Sequence, residues 1–434
     1  MKIYFSGIGG VGIGPLAQIA HYAGYEVTGS DRHDSLLTEN LKNLGIDFEI
    51  GAQDGSFLMK SNSNKPIDWF VYTSALPYEH PELTEARKLG LKIAKRDELL
   101  SKIIKDKGLK LIALAGTHGK TGTTALTVWL FKELGLPASY SIGSTIGFGT
   151  SGFYDKNSSY FIYECDEFDR NFLHFNPYLS IITSLDYDHP DTYPTESDYL
   201  NAFKDFVRNS EIVVAWDDQP EIVYEGANNV TLLSSKGLAG ENKISPDITL
   251  PGMHNRKNAS LVLNGLTKLG IINDQNYGQA INAINSFPGA DRRFERIAPN
   301  LYTDYGHHPI EIEATLNMAQ ELASKENRDI VLVYQPHQNI RQHNIKNEYK
   351  DQFLKAKKIY WLPTYLSRED PNLPILSPQE LTVNLTNQRN VIYADLNDDL
   401  WTRLQSDMSQ GSLVVGMGAG SIDEWLRKKA NLNN

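Results

Sequence analysis

Residues 111–135, LIALAGTHGKTGTTALTVWLFKELG, read as a buried strand, a glycine-bearing loop and a helix. That is the order in which a chain presents backbone N–H groups to a phosphate at a helix N-terminus. The P-loop pattern G-x-x-x-x-G-K-[ST] asks for a glycine five places before Gly119, and the residue there is Leu114. The chemically necessary part is kept: Gly116 and Gly119 for close backbone approach, Lys120 to reach the terminal phosphates, Thr121 to ligate magnesium. A lone G-K-T fits a surface lysine equally well. The apolar strand before it and the TGTTAL helix start after it favour ATP.

Outward from this unit, strand-like runs alternate with helical patterns along the whole chain, the mark of α/β architecture with mostly parallel sheets. A chain of 434 residues is too long for one ordinary core. Breaks at KDKGLK and at Pro288-Gly289 predict three domains, 1–105, 106–289 and 290–434. The first opens with a strand over 2–6, a glycine loop, a helix over 13–24 and the strand YEVTGSD. The second runs through YFIYECDEFD, LSIITSLDYDH and EIVVAWDD to the helix-like HNRKNASLVLNGLTKLG. The third contains LYTDYGHHP, DIVLVYQPH, KKIYWLPTY and GSLVVGMGAGSIDEWLRK.

Composition narrows the function. A formal net charge of -11 argues against a surface built to neutralise nucleic-acid phosphates. The single Cys165 excludes an intramolecular disulfide and a cysteine metal cage, and fits a reducing cytosol. The N-terminus carries no basic region followed by an apolar run and cleavage site, and no stretch approaches the roughly 18 apolar residues of a membrane span. A soluble cytoplasmic protein without nucleic-acid or membrane partners is expected.

The opening loop, Gly7-Ile8-Gly9-Gly10-Val11-Gly12, matches G-x-G-x-x-G, with Asp31 ending the next strand. It predicts a pyrophosphate site that suits NAD, UDP or another nucleotide diphosphate. Two acidic clusters end later strands: Glu164, Asp166, Glu167 and Asp169, then Asp186, Asp188, His189 and Asp191. One hydroxyl, one carboxylate and the nucleotide phosphates suffice for magnesium, so caps and solvated turns account for most of these acids. Further on, Arg292, Arg293 and Arg341 could hold phosphate or carboxylate bidentately.

Taken in order, GTHGKT, ECDEFD with DYDHPDTY, HNRKN, DRRFE and DYGHHP resemble the motifs of the Mur ligases over nearly the whole chain. The G-I-G-G-x-G opening, G-S-D after the second strand, S-A-L at Ser74 and R-x-E-x-L at Arg96 resemble the branch that adds alanine. The resemblance implies a Rossmann-like UDP-binding domain, a P-loop ATPase-like central domain and a Rossmann-like C-terminal domain. It implies ATP-dependent ligation of L-alanine to the lactyl carboxylate of UDP-N-acetylmuramate through an acyl phosphate, with Mg2+, by a monomer or weak homodimer. By the same resemblance Gly7, Gly9, Gly10, Gly12, Asp31 and Ser74 serve the UDP-sugar. Gly116, Thr117, Gly119, Lys120, Thr121 and Thr123 form the ATP loop, and Thr121, Glu164 and His189 hold the metal. His254, Asn255 and Asn258 contact adenine, Arg293 phosphate and Asp304 ribose; Tyr305, His307 and Arg341 lie near the amino acid and the lactyl carboxylate. Lys120, Glu164, His189 and Arg341 form the implied catalytic set.

The chain departs from the family pattern at Gly122, Cys165, Phe168, Thr303 and Gln338. The last two bear on the amino-acid pocket. Gln338 and Phe168 keep open a recycling ligase that adds the L-Ala-γ-D-Glu-diaminopimelate tripeptide to the same sugar. Phe203, at the position where later-acting members carry a carbamylated lysine, points back to alanine, unless the alignment slips to Lys204. An NAD-linked oxidoreductase explains the first loop but leaves Lys120 and the acidic clusters unused. A non-catalytic ATP switch leaves the metal-ligand candidates unused.

Overall fold

The structure, a computed structural model, describes residues 1–431 except 11, 74–75, 190–191, 236–243 and 368. Ser74 and Asp191 therefore lie outside the described residues. The described strands form three sheets within two compact units, 1–248 with 257–287 and 249–256 with 288–434. No described helix is long and apolar enough to cross a membrane.

The first sheet contains β1 (Lys2–Ser6), β2 (Glu26–Asp31), β3 (Asp47–Ile50), β4 (Trp69–Tyr72) and β5 (Lys92–Lys95), in the order β3-β2-β1-β4-β5. All its pairings are parallel. β1 is buried along its whole length, as a parallel strand covered on both faces should be. Ile3 and Phe5 join Leu16, Ile19 and Ala20 of the helix Gly14–Tyr22 in one core. That helix carries Pro15 in its first turn, where its fixed φ is suitable and its missing N–H is no loss. The chain crosses from one side of β1 to the other between β3 and β4, so the glycine loop after β1 stands at the switch point of strand order, where α/β sheets bind ligands.

The second sheet belongs to the same unit. It comprises β6 (Lys110–Ala115), β7 (Ser139–Ser141), β8 (Gly152–Phe153), β9 (Tyr160–Glu164), β10 (Leu179–Ile182), β11 (Ile212–Trp216) and β12 (Val230–Leu233), ordered β12-β11-β10-β6-β9-β7-β8. β6 pairs in parallel with β9 on one side and β10 on the other, again a switch point, and the GTHGKT loop leaves from its end. Only the β7–β8 edge is antiparallel.

The second unit carries β13 (Glu295–Ala298), β14 (Leu301–Asp304), β15 (Ile330–Tyr334), β16 (Lys358–Trp361), β17 (Val391–Tyr393) and β18 (Leu413–Met417), ordered β13-β14-β18-β15-β16-β17. Here β13 alone runs antiparallel. The segment 249–256, expected in the central domain, packs with this unit: Arg256 is bonded to Glu321 at 3.0 Å.

Gly122 lies inside the helix Lys120–Glu133, and a Cβ built there meets nothing within 4 Å. Gly122→Ala is therefore expected to raise stability by about 0.8–1 kcal/mol, the helix-propensity difference undiminished by any clash. A higher midpoint in a thermal melt of the ligand-free protein checks this. An unchanged or lower midpoint means that the first helical turn needs glycine for another reason.

Candidate active site

The ATP-type loop is fixed by its two glycines. Gly116 has φ +126°, and a Cβ there would lie 2.5 Å from Thr183 Oγ1 and 2.7 Å from Ser184 O. Gly119 has φ +81°, with Asn258 Nδ2 only 2.7 Å from its would-be Cβ. Both space and backbone conformation thus demand glycine. The loop is bolted to the end of β10. Thr117 Oγ1 donates to Asp186 O at 2.7 Å, accepts from Asp186 N–H at 2.8 Å, and stands 2.6 Å from the buried Tyr199 hydroxyl. Thr123 turns its hydroxyl back onto Gly119 O at 2.7 Å, within its own helix.

Lys120 Nζ donates to Gly116 O at 2.6 Å and to both Glu167 oxygens, at 2.9 and 2.7 Å. Both partners are shielded, the lysine side chain 13% and the glutamate 1% exposed. Burial works against the lysine charge, but Glu167, Asp166 and Glu164 outweigh it and hold the Lys120 pKa above its usual value. Burial pushes the Glu167 carboxyl up, and Lys120 opposes it. Glu167 was one acid among four in the sequence. Its role shows only when the chain after β9 folds back over the loop.

Glu164, the last residue of β9, accepts from Thr121 Oγ1 at 2.8 Å and from Gly143 N–H at 2.8 Å. His189 adopts φ +59°, and its Nε2 lies 3.7 Å from Glu167 Oε1, with the ring edge-on to Phe168 at 5.2 Å between centroids. Asp166, Glu167 and His189 bring one ligand atom each within 4.8 Å of one another. So Thr121 meets Glu164, and His189 gathers with Asp166 and Glu167. These are hard carboxylate and hydroxyl oxygens with one imidazole, a donor set suited to a divalent cation such as magnesium. Phe203 is buried against Phe172, at 4.9 Å, while Lys204 reaches Glu225 at 2.9 Å, so neither offers a cation or carbamate to this cluster.

At the first sheet, Gly7 and Ile8 N–H groups donate to Ser30 O, Gly10 N–H to Gly7 O, and Gly9 N–H to Asp31 Oδ2 at 2.7 Å. Asp31 thereby shapes the loop itself. Beyond Gly12 a cleft of about 190 Å³ is lined by Lys95, Arg96, Asp166, Phe168 and Asn171. A Cβ on Gly12 would lie 3.1 Å from Arg96 Nη1. Lys95 and Asp169 form an ion pair across the cleft.

In the second unit, the guanidinium groups of Arg292 and Arg293 stand over the Tyr305 ring at 4.8 and 5.2 Å. His307 Nδ1 lies 3.1 Å from Tyr305 O, and its ring 5.7 Å from that of His337, which stacks on Tyr365. Burial first, then the charges of His307 and Arg341, push the His337 pKa down to about 4. Burial also lowers His307, with Glu311 opposing. Asp304 is buried and accepts from Phe294 N–H, Gly306 N–H and Thr315 Oγ1 at 2.8, 2.7 and 3.1 Å, so its oxygens organise the loop. Thr303 is also buried and donates to Asp423 at 2.9 Å. Gln338 takes φ +61° ahead of the helix Asn339–Ile345 that carries Arg341. His254 and Asn255 pack with this unit, Asn255 Nδ2 donating to Pro251 O at 2.8 Å, whereas Asn258 belongs to the first unit beside Gly119. Burial, then Arg256, brings His254 to about 4.

These three histidines make the second unit acid-sensitive. Their folded pKa values lie below the unfolded 6.5, so the folded state binds fewer protons, and the stability they contribute is complete above pH 6.5 and is lost as pH falls through the lowered values, about 4 for His254 and His337. Asp304, raised by burial, acts in the opposite sense. Hydrogen exchange between pH 7 and 4.5 is expected to show 288–431 losing protection before 1–248. The reverse order would contradict the assignment.

Three family models match the chain: "Mur ligase family, catalytic domain" over 2–107, "Mur ligase middle domain" over 114–264 and "Mur ligase, glutamate ligase domain" over 292–420. A UDP-N-acetylmuramate–L-alanine ligase of Rickettsia bellii is 30% identical, covering 98% of this chain and 94% of its own. The solved UDP-N-acetylmuramate-alanine ligase of Thermotoga maritima superposes with TM-score 0.77 at 25% identity, covering 100% and 99%. A murein peptide ligase of Psychrobacter arcticus shares the fold, with TM-score 0.64 at 21% identity over 99% and 98%.

Proposed function

We propose a reaction from a settled premise: this chain belongs to the Mur ligase family. It is an ATP-dependent ligase that joins L-alanine to the lactyl carboxylate of UDP-N-acetylmuramate, the first peptide step of peptidoglycan precursor synthesis. The observation that carries this reading is the cleft at the first glycine loop. Its far wall holds Asp166, next in the chain to the Glu167 that pairs with Lys120.

The lactyl carboxylate attacks the γ-phosphate, the β,γ P–O bond breaks and ADP leaves, giving the acyl phosphate through an encounter of two anions. Lys120 offsets that charge once the phosphate displaces Glu167 from its ammonium, and the rigid loop fixes the line of attack. Thr121 and Glu164, or the Asp166, Glu167 and His189 group, would hold magnesium, which would supply further charge neutralisation. The alanine amine then attacks the acyl phosphate and inorganic phosphate leaves. The amine must arrive unprotonated, and His189, 3.7 Å from Glu167, and the released Glu167 are the candidate acceptors of its proton. In the second unit, the Arg292, Arg293 and Arg341 charges suit the carboxylate of the incoming amino acid.

A second reading has specific support: Phe168 departs from the alanine-adding pattern in the direction of the tripeptide ligase, and Gln338 stands where that pattern has an arginine. Phosphate release from ATP and magnesium with UDP-N-acetylmuramate separates the two, with L-alanine, glycine, L-serine and the L-Ala-γ-D-Glu-diaminopimelate tripeptide tried in parallel. Preferred turnover with L-alanine is expected. Turnover with the tripeptide alone identifies a recycling ligase, and none with any acceptor overturns both.

A further inference from the structure

Asn171 lines the cleft beside the first glycine loop, and its Oδ1 is buried without a hydrogen-bond partner among the described residues. A buried acceptor left unpaired is costly and uncommon in native structures. The turn that places it is also unusual. Asp169 and Arg170, with φ +54° and +58°, are consecutive non-glycine residues in the left-handed region. Such conformations persist where surrounding contacts enforce them, and they cluster at ligand sites. Here the enforcing contacts include the Lys95–Asp169 ion pair and the donation of Arg170 N–H to Glu167 O at 3.0 Å.

The position of the cleft says which part of a ligand Asn171 meets. One wall belongs to the phosphate-type loop at Gly12, and the other to the acidic loop next to Lys120. At about 190 Å³ it is smaller than the roughly 300–1,000 Å³ of sites that enclose a whole drug-sized molecule. It takes one ring. A substrate with its diphosphate on the glycine loop and its carboxylate at Lys120 must pass its sugar through this space. In UDP-N-acetylmuramate the diphosphate is on C1 and the lactyl ether on C3, so the group between them is the C2 acetamido. An acetamido offers one N–H and one C=O, the complement of a side-chain carboxamide in either orientation.

We propose, resting on the ligase reading above, that Asn171 is a specificity-determining residue that hydrogen-bonds the C2 acetamido group of the sugar. Binding is measured calorimetrically for UDP-N-acetylmuramate and for its analogue with a C2 hydroxyl in place of the acetamido, on wild type and Asn171→Ala. Wild type is expected to prefer the acetamido ligand by about tenfold or more, as a site built to pair a polar group rejects an analogue lacking it. Asn171→Ala is expected to bring that ratio to about twofold while holding the hydroxyl analogue near its wild-type affinity, whereas Asn171→Gln keeps part of the preference. A ratio unchanged in Asn171→Ala, or equal weakening towards both ligands, overturns the proposal and leaves the ligase reading intact. If wild type binds neither UDP-sugar, the ligase reading falls with it.

Discussion

Lys120→Ala is expected to lower kcat by at least about 10³-fold, while UDP-N-acetylmuramate binding stays within a few-fold of wild type. Removing one donor aimed at developing charge costs about 10²–10³ in typical cases. Lys120 carries a full charge and sits in a shielded site where that charge acts undiluted. On the proposed reading the sugar nucleotide is held largely from the first sheet, around Gly9, Gly12 and Arg96, and would lose none of those groups. A second consequence follows from Glu167. Without Lys120 its carboxylate is left 1% exposed and unpaired, a situation that destabilises by about 3–5 kcal/mol unless the group takes a proton. Burial already raises its pKa, so the folded state holds that proton more readily than the unfolded chain. The stability deficit of Lys120→Ala is therefore expected to shrink at low pH and grow as pH rises through the Glu167 pKa. Adding Glu167→Gln should restore the melting temperature and leave turnover lost. If calorimetry shows sugar-nucleotide binding lost together with turnover, the two sites are not separate.

How much of this was legible beforehand depends on whether the signal was local. β1, β6 and β18 are short apolar runs between turn residues, and their positions followed from pattern alone. The edge strands β3, β8, β12, β13 and β17, and β7 beside β8, escaped notice. They are two to four residues long and only partly buried, so no periodicity marks them. The same distinction runs through the site. Gly116, Gly119 and Lys120 form a contiguous motif whose spacing carries the chemistry. The Lys120–Glu167 pair joins residues 47 apart, and the choice of Glu167 among four neighbouring acids is made by the fold after β9. Asp304 was assigned to the ribose by the family resemblance alone. Its burial under Phe294, Gly306 and Thr315 is a tertiary fact. Asn171 carried no signal at all, since an unpaired amide is visible only once its surroundings exist.

The proposed metal is the remaining division within the site, because Thr121 and Glu164 would form one arrangement of ligands and Asp166, Glu167 and His189 another. Glu167 is already engaged bidentately by Lys120, which weakens the second arrangement until a phosphate displaces it. Among the described residues Glu164 accepts from a hydroxyl and a backbone N–H, and its carboxylate oxygens keep further lone pairs for a cation. Magnesium commonly takes one or two carboxylates and completes its shell with water and substrate phosphates, so Thr121 and Glu164 suffice. Glu164→Gln is expected to raise the magnesium requirement of phosphate release by about 10–100-fold or more. At saturating magnesium, kcat should remain about 10²–10³ below wild type. The glutamine carbonyl can still accept from Thr121, but its NH2 group then faces Gly143 N–H, so a modest fall in melting temperature accompanies the loss. His189→Ala tests the other arrangement: if the second set holds the ion, the magnesium requirement moves with His189 and not with Glu164. Wild-type magnesium dependence in Glu164→Gln would reduce Glu164 to a clasp for the Gly143 turn and transfer the metal to the acidic loop.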